Sequence, residues 1–184
     1  MSTWIARLRG INVGGNNLLP MKDLVAVLEE LGCTNVSTYI QSGNVVFERP
    51  RNDAMRLSKR IGNTVLKNHS FKPRTLVLTT DEFENAVVSN PFPDAEVSPK
   101  SLQIFFLSEE PTSPEFEMLN SIKSRNESYA LIEKVFYLHA PDGIGRSKLA
   151  ARVEKLLGVN ATARNWRTVS KLLEMARRSN NATA

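Results

Sequence analysis

The residues best suited to chemistry lie in two cation-bearing segments near the C-terminus. Asp142-Gly143-Ile144-Gly145-Arg146-Ser147-Lys148 enters an expected helix with two cations in its first turn. Ala163-Arg164-Asn165-Trp166-Arg167-Thr168 does the same at the next expected helix. Cations at a helix start oppose the macrodipole, at about 0.3–1 kcal/mol each when exposed. An anion held by free N–H groups, glycine backbone and the cations together would offset that cost. Arg146, Ser147, Lys148, Arg164, Asn165 and Arg167 are therefore candidate anion ligands. Pairing with acids such as Asp142, or screening by water, would account for the same cations without a ligand. Trp166 could stack on a planar ligand or simply pack.

Two further polar motifs stand in the N-terminal half. Arg9-Gly10-Ile11-Asn12-Val13-Gly14-Gly15-Asn16-Asn17 is rich in amides and glycine, and Gln41-Ser42-Gly43-Asn44 is of the same type. Arg9, Asn12, Asn16, Gln41 and Asn44 are candidate polar contacts to the same ligand. The alternative is that both motifs are demanding turns, with glycine supplying φ > 0 and the amides bonding backbone. The end of the first strand and the start of the third are expected at opposite ends of an antiparallel pair, which keeps the two motifs apart.

Several chemistries are missing. Gly10 to Gly15 has the outer spacing of a phosphate-cradling loop, but Asn16-Asn17 stands where Lys-Ser/Thr is required. Cys33 has no sequence partner for a Cys–His pair and reads as a small buried filler. His69, at a helix exit, is expected in solvent. His139 closes a strand, where a general base is one reading. One cysteine and two histidines leave no metal site to name. No residue stands out as nucleophile or base, so neither a reaction nor a cofactor is assigned.

The elements that must position these residues follow from apolar spacing. Trp4 to Leu8 reads as a strand. Pro20 opens a helix whose apolar face is Met21, Leu24, Leu28 and Leu31, and Gly32 stops it. Val36, Thr38 and Ile40 alternate with polar residues as a half-buried strand, and Val45-Val46-Phe47 returns. Asp53 caps a helix with Ala54, Leu57, Ile61 and Val65 on its buried face. Thr75 to Thr79 is a fourth strand. Thr79 and Glu82 form a capping box for a short helix from Thr80 to Ser89. Asn90-Pro91-Phe92-Pro93 breaks it and begins a linker to Lys100.

The order then recurs. Leu102 to Leu107 is a strand, and Ser113 or Pro114 opens a helix through Met118 to Ile122. Tyr129–Ile132 and Val135–Leu138 form a hairpin. A helix buries Leu149, Val153, Leu156 and Leu157, with Gly158 at its end. Asn160 to Arg164 is a short strand, and a last helix runs from about Trp166 to Arg178. The expected fold is α+β: two tandem ferredoxin-like (βαββαβ) units with antiparallel sheets and helices packed on one face. The units are expected at residues 1–79 and 101–178, joined by a short helix and linker at 80–100. Residues 179–184 are expected to fray.

Composition bounds the class. The chain has 184 residues, enough for one domain or two small ones. Its 41% apolar and 23% charged residues are those of an ordinary globular protein, which excludes disorder and fibrous classes. Residues 1–79 hold eleven Lys/Arg against five Asp/Glu, residues 80–141 four against eleven, and residues 142–184 nine against three. That order is unlike the uniform coat of a nonspecific nucleic-acid binder. Either the acidic middle lies against the basic parts, or the basic parts meet at an anion-attracting cleft. Met1 to Trp4 offers no basic head for a signal, and no apolar run approaches the ~18 residues of a membrane span. With a single thiol, the expected location is the cytoplasm, with no membrane partner.

Leu8-Arg9-Gly10-Ile11-Asn12-Val13-Gly14-Gly15 and Tyr39-Ile40-Gln41-Ser42-Gly43-Asn44-Val45-Val46-Phe47 resemble a bacterial family, the domain-of-unknown-function 1697 family. Asn90-Pro91-Phe92-Pro93 and Thr162-Ala163-Arg164-Asn165-Trp166-Arg167-Thr168-Val169 resemble it too, so the likeness spans nearly the whole chain. The resemblance implies tandem ferredoxin-like halves and no particular reaction.

Three functions remain open. One is a site for a small anionic ligand, such as a nucleotide or phosphorylated metabolite. A second is a single-stranded nucleic-acid-binding module, since RNA-recognition motifs share the split βαβ order and stack bases on sheet aromatics. Here only Phe136 and Tyr137 could serve as that platform. A third is a protein-interaction domain without a ligand.

Overall fold

A computed structural model describes residues 1–50 and 53–183. It is α+β, with two four-stranded antiparallel sheets. The chain divides into two compact units, one of residues 1–85 with 171–184 and one of residues 86–170.

The first unit runs β1 (Ser2–Arg9), α1 (Met21–Glu30), β2 (Thr34–Tyr39), β3 (Asn44–Arg49), α2 (Ala54–His69) and β4 (Arg74–Thr79), with most of α3 (Thr80–Val88). Its sheet order is β2-β3-β1-β4. One face of the sheet, with Trp4, Ala6, Leu8, Val45 and Phe47, packs on Leu24 and Leu28 of α1 and on Leu57, Ile61 and Val65 of α2. Period-two burial on the strands and period-3.6 burial on the helices produce that layer. Asp53 caps α2, its carboxylate accepting from Met55 N at 2.8 Å and Arg56 N at 3.1 Å. Thr79 and Glu82 form the capping box: Glu82 accepts from Thr79 N at 2.8 Å, and Glu82 N donates to Thr79 Oγ1 at 3.1 Å. Arg7 points to the other face and is fully buried, its guanidinium lying 5.5 Å over the Phe83 ring.

The second unit runs β5 (Leu102–Leu107), α4 (Phe116–Ile122), β6 (Ser128–Ile132), β7 (Val135–His139), α5 (Val153–Leu157) and β8 (Ala161–Asn165). Its sheet order is β6-β7-β5-β8. Phe105, Leu107, Phe136 and Leu138 pack on Leu119 of α4 and on Val153, Leu156 and Leu157 of the α5 segment. The last helix, α6 (Trp166–Thr183), starts in this unit, and its residues from Lys171 group with the first.

Two expectations need correction. The helix expected to follow Gly145 is instead a 3-10 turn at Ile144–Arg146, another at Ala150–Arg152, and the five-residue α5. Ser147 Oγ accepts from Ala150 N at 2.9 Å, and Arg152 sits at φ −115°, so the ladder restarts twice. The last helix, expected to end near Arg178, continues to Thr183; Ala184 lies outside the described residues. Among the described residues, no helix is long and apolar enough to cross a membrane.

Candidate functional site

The second sheet sets two cation-bearing segments on one edge. β5 lies between β7 and β8 and is antiparallel to both. Leu102 pairs with His139, and Gln103 pairs with Asn165. The ends of β7 and β8 therefore flank the start of β5, two strand spacings apart, or about 10 Å. The chain leaving β7 carries Arg146 and Lys148, and the chain leaving β8 carries Arg167. All three are exposed, while Arg164 is half-buried on β8 itself. Gly143, at φ +95°, redirects the chain after the β7 end.

The same geometry removes part of the electrostatic argument. A single 3-10 turn has no aligned dipole of consequence, so Arg146 and Lys148 do not oppose one. Ser147 is buried, and its hydroxyl is committed to Ala150 N. At α6 the expected helix start is present. Asn165 is its cap: Oδ1 accepts from Thr168 N at 3.0 Å, satisfying one of the orphan donors. Arg164 Nη1 donates to Ala163 O at 2.8 Å. Arg167 remains the exposed cation in the first turn.

In the first unit, the two polar motifs meet, contrary to the expectation that they lie apart. In an antiparallel pair, the exit of one strand faces the entry of its partner, and Arg7 pairs with Asn44. Leu8 N donates to Gly43 O at 2.8 Å. Asn12 Nδ2 donates to Gln41 O at 2.8 Å and to Leu19 O at 2.9 Å, while Asn12 Oδ1 accepts from Leu19 N at 2.8 Å. Asn44 is fully buried and donates to Tyr39 O and Ser42 Oγ. Asn12 and Asn44 thus spend their amides on the loops. Arg9, Asn16 and Gln41 have exposed side chains beside them, with Arg9 opposite Arg74 across the β1–β4 pair. Backbone strain collects here: Asn12, Asn17 and Ile40 all hold φ near +50°. For a β-branched residue such as Ile40 that conformation is costly.

The remaining candidates are buried, paired or in ring contact. Cys33 is buried; burial pushes its thiol pKa up, against the lowering pull of Arg49 and Arg60. His69 is not free in solvent, because its Nε2 lies 3.9 Å from Asp23 Oδ2. His139 lies against Phe92, ring centroids 6.3 Å apart. Phe136 and Tyr137 are both fully buried, and Tyr137 Oη donates to Ala86 O at 2.7 Å. Neither ring offers a face to a base.

One feature draws on three arginines that the sequence did not single out. Arg49, Asp53, Arg56, Leu57 and Arg60 line a cavity of about 170 Å³. The signal for it is the i,i+4 spacing of Arg56 and Arg60, a like-charge pair on one helix face.

The model for the family described as "Protein of unknown function (DUF1697)" matches residues 1–137. No curated protein matches the sequence. A solved structure described as the conserved bacterial protein SP0830 from Streptococcus pneumoniae aligns with a TM-score of 0.68 at 21% identity. That alignment covers 95% of this chain and 98% of that one. At that identity the likeness is one of fold.

Proposed function

The chain belongs to the DUF1697 family of proteins of unknown function, and on that premise we propose that it binds a small anionic ligand through the cationic edge of its second sheet. The ligand class is a nucleotide or a phosphorylated metabolite. Arg146, Lys148 and Arg167 bind its charge, with Arg164 beside them and Asn165 and Ser147 holding the segments in place. We read the two units as tandem ferredoxin-like folds. The orders β2-β3-β1-β4 and β6-β7-β5-β8 support that reading, because each is the order a βαββαβ chain adopts. We assign the protein to the cytoplasm, which its single buried thiol suits.

The observation that carries the proposal is the register of β5, which brings the ends of β7 and β8 to one edge. Cations on two exposed segments at one edge raise the local anion concentration. The burial of Phe136 and Tyr137 argues against base stacking, so charge rather than aromatic contact drives recognition.

A thermal-shift screen tests this reading. It covers nucleotides, phosphorylated metabolites and a short single-stranded RNA. A ligand at about 100 times its Kd adds about 2.7 kcal/mol. For a chain of this length that raises the midpoint by about 5–10 °C. A shift with one class of small phosphate and none with RNA supports the proposal. A shift with RNA alone overturns it, as does none at all.

A further inference from the structure

A second cationic feature, separate from the edge just described, lies in the first unit. β3 ends at Arg49, and α2 begins at Ala54. Arg49, Arg56 and Arg60 line the cavity between them, over the buried side chain of Leu57. Arg49 is held in place, its Nη1 donating to Leu31 O at 2.6 Å. Arg56 and Arg60 come from successive turns of one helix face. Three arginines from two elements therefore line one space.

The arrangement is unfavourable without an anion. Arg56 and Arg60 are like charges at i,i+4, which costs about 0.2–0.5 kcal/mol. Arg56 is also in the first turn of a sixteen-residue helix that has no acidic residue in that turn. Among the described residues, neither Arg56 nor Arg60 makes an ion pair. Among the described residues, Asp53 is the one carboxylate lining the cavity. Its Oδ1 is committed to the backbone N–H groups of Met55 and Arg56. Among the described residues, one carboxylate and three arginines give the lining a net positive charge.

We propose that this cavity binds a phosphoryl group, held by the guanidiniums of Arg49, Arg56 and Arg60. Guanidinium suits the task because its planar fork matches phosphate oxygens in pairs, which an ammonium cannot do. The volume limits the occupant. At about 170 Å³ the cavity is well below the roughly 300–1,000 Å³ of pockets that enclose drug-sized ligands. It takes a phosphoryl group and little else, either as free phosphate or as the end of a phosphomonoester that extends into solvent.

Calorimetric titration with inorganic phosphate and with glycerol phosphate, at ionic strength held constant with potassium chloride, tests this. The wild-type chain is expected to give saturable binding of at least one probe. Loss of two charge-assisted contacts in Arg56→Gln/Arg60→Gln is expected to weaken it at least about tenfold. Both side chains are exposed, so the variant keeps the wild-type circular dichroism spectrum and melting transition. Arg49→Lys keeps the charge but loses the fork, and weakens binding as well. The same comparison made in the Arg146→Ala/Arg167→Ala background removes any contribution from the edge of the second sheet: adding Arg56→Gln/Arg60→Gln there is expected to weaken binding at least about tenfold, and equal affinity overturns the proposal. Equal affinity for both probes marks a site for the free ion, and tighter glycerol phosphate marks a phosphomonoester site. No saturable binding of either probe overturns the proposal, as does equal affinity in wild type and Arg56→Gln/Arg60→Gln.

Discussion

The side-chain amide of Asn12 donates to the main-chain carbonyl oxygen of Gln41 at 2.8 Å, tying the loop after β1 to the turn before β3. The same side chain bonds both polar groups of Leu19. One amide therefore holds three strands of loop together. At roughly 0.5–1.5 kcal/mol per hydrogen bond, Asn12→Ala is expected to cost about 2 kcal/mol. Guanidinium unfolding followed by tryptophan fluorescence measures it. A loss below 0.5 kcal/mol, as an order-of-magnitude bound from the weakest single bond, would show that water replaces the amide.

Gly43 is the second fixed point of that junction. It holds φ +70°, and a Cβ there would come within 2.8 Å of Leu8 Cβ. Its carbonyl also accepts from Leu8 N, so the backbone cannot retreat. Gly43→Ala is expected to destabilise by about 1–3 kcal/mol, the range for strained backbone. Ile40→Asn is expected to move the other way, since Asn tolerates a φ of +50° better than a β-branched residue. Paired thermal melts distinguish the signs, and a stable Gly43→Ala protein would refute the geometry of this contact.

Asn165 is a helix cap by its contact with Thr168 N. Asn165→Ala is expected to cost about 1 kcal/mol, and Asn165→Asp much less, because Asp caps equally well. A ligand-binding role alone would leave the melting point of the unliganded protein unchanged in both variants.

Tyr137 gives a pH dependence with a defined sign. Burial, with a smaller push from Glu133, raises its phenol from 10.0 to about 12. The folded state thus disfavours the phenolate. The stability this contributes is intact below about pH 10 and is lost as pH rises to about 12, on the order of 2–3 kcal/mol. Tyr137→Phe is expected to flatten that part of the alkaline unfolding curve. The same slope in wild type and variant would place the titration elsewhere.

Most of the fold was legible because apolar period tracks burial. The strand at Trp4–Leu8, the cap at Asp53 and the capping box at Thr79–Glu82 each rest on local rules, and each is observed. Leu149, Val153, Leu156 and Leu157 are buried as their spacing implies, yet their backbone is broken into short turns. Spacing reports which side faces the core, not which hydrogen-bond ladder carries it. The joining of the Asn12 and Gln41 loops was misread from a topological rule: antiparallel strands bring an exit beside an entry, so these motifs had to meet. The arginine cavity was hidden for another reason. Arg49 reaches it from β3 while Arg56 and Arg60 reach it from α2, and only the last two share a helix period.

The most direct test of anion binding at the second sheet compares wild type with Arg146→Ala/Arg167→Ala. Calorimetry is run with the phosphorylated compound that most raises the melting point. Both side chains are exposed, so the fold should survive their loss. The expected result is saturable wild-type binding and at least about a tenfold weaker Kd in the variant, equal to 1.4 kcal/mol or more. Equal affinity in the two proteins would contradict the account.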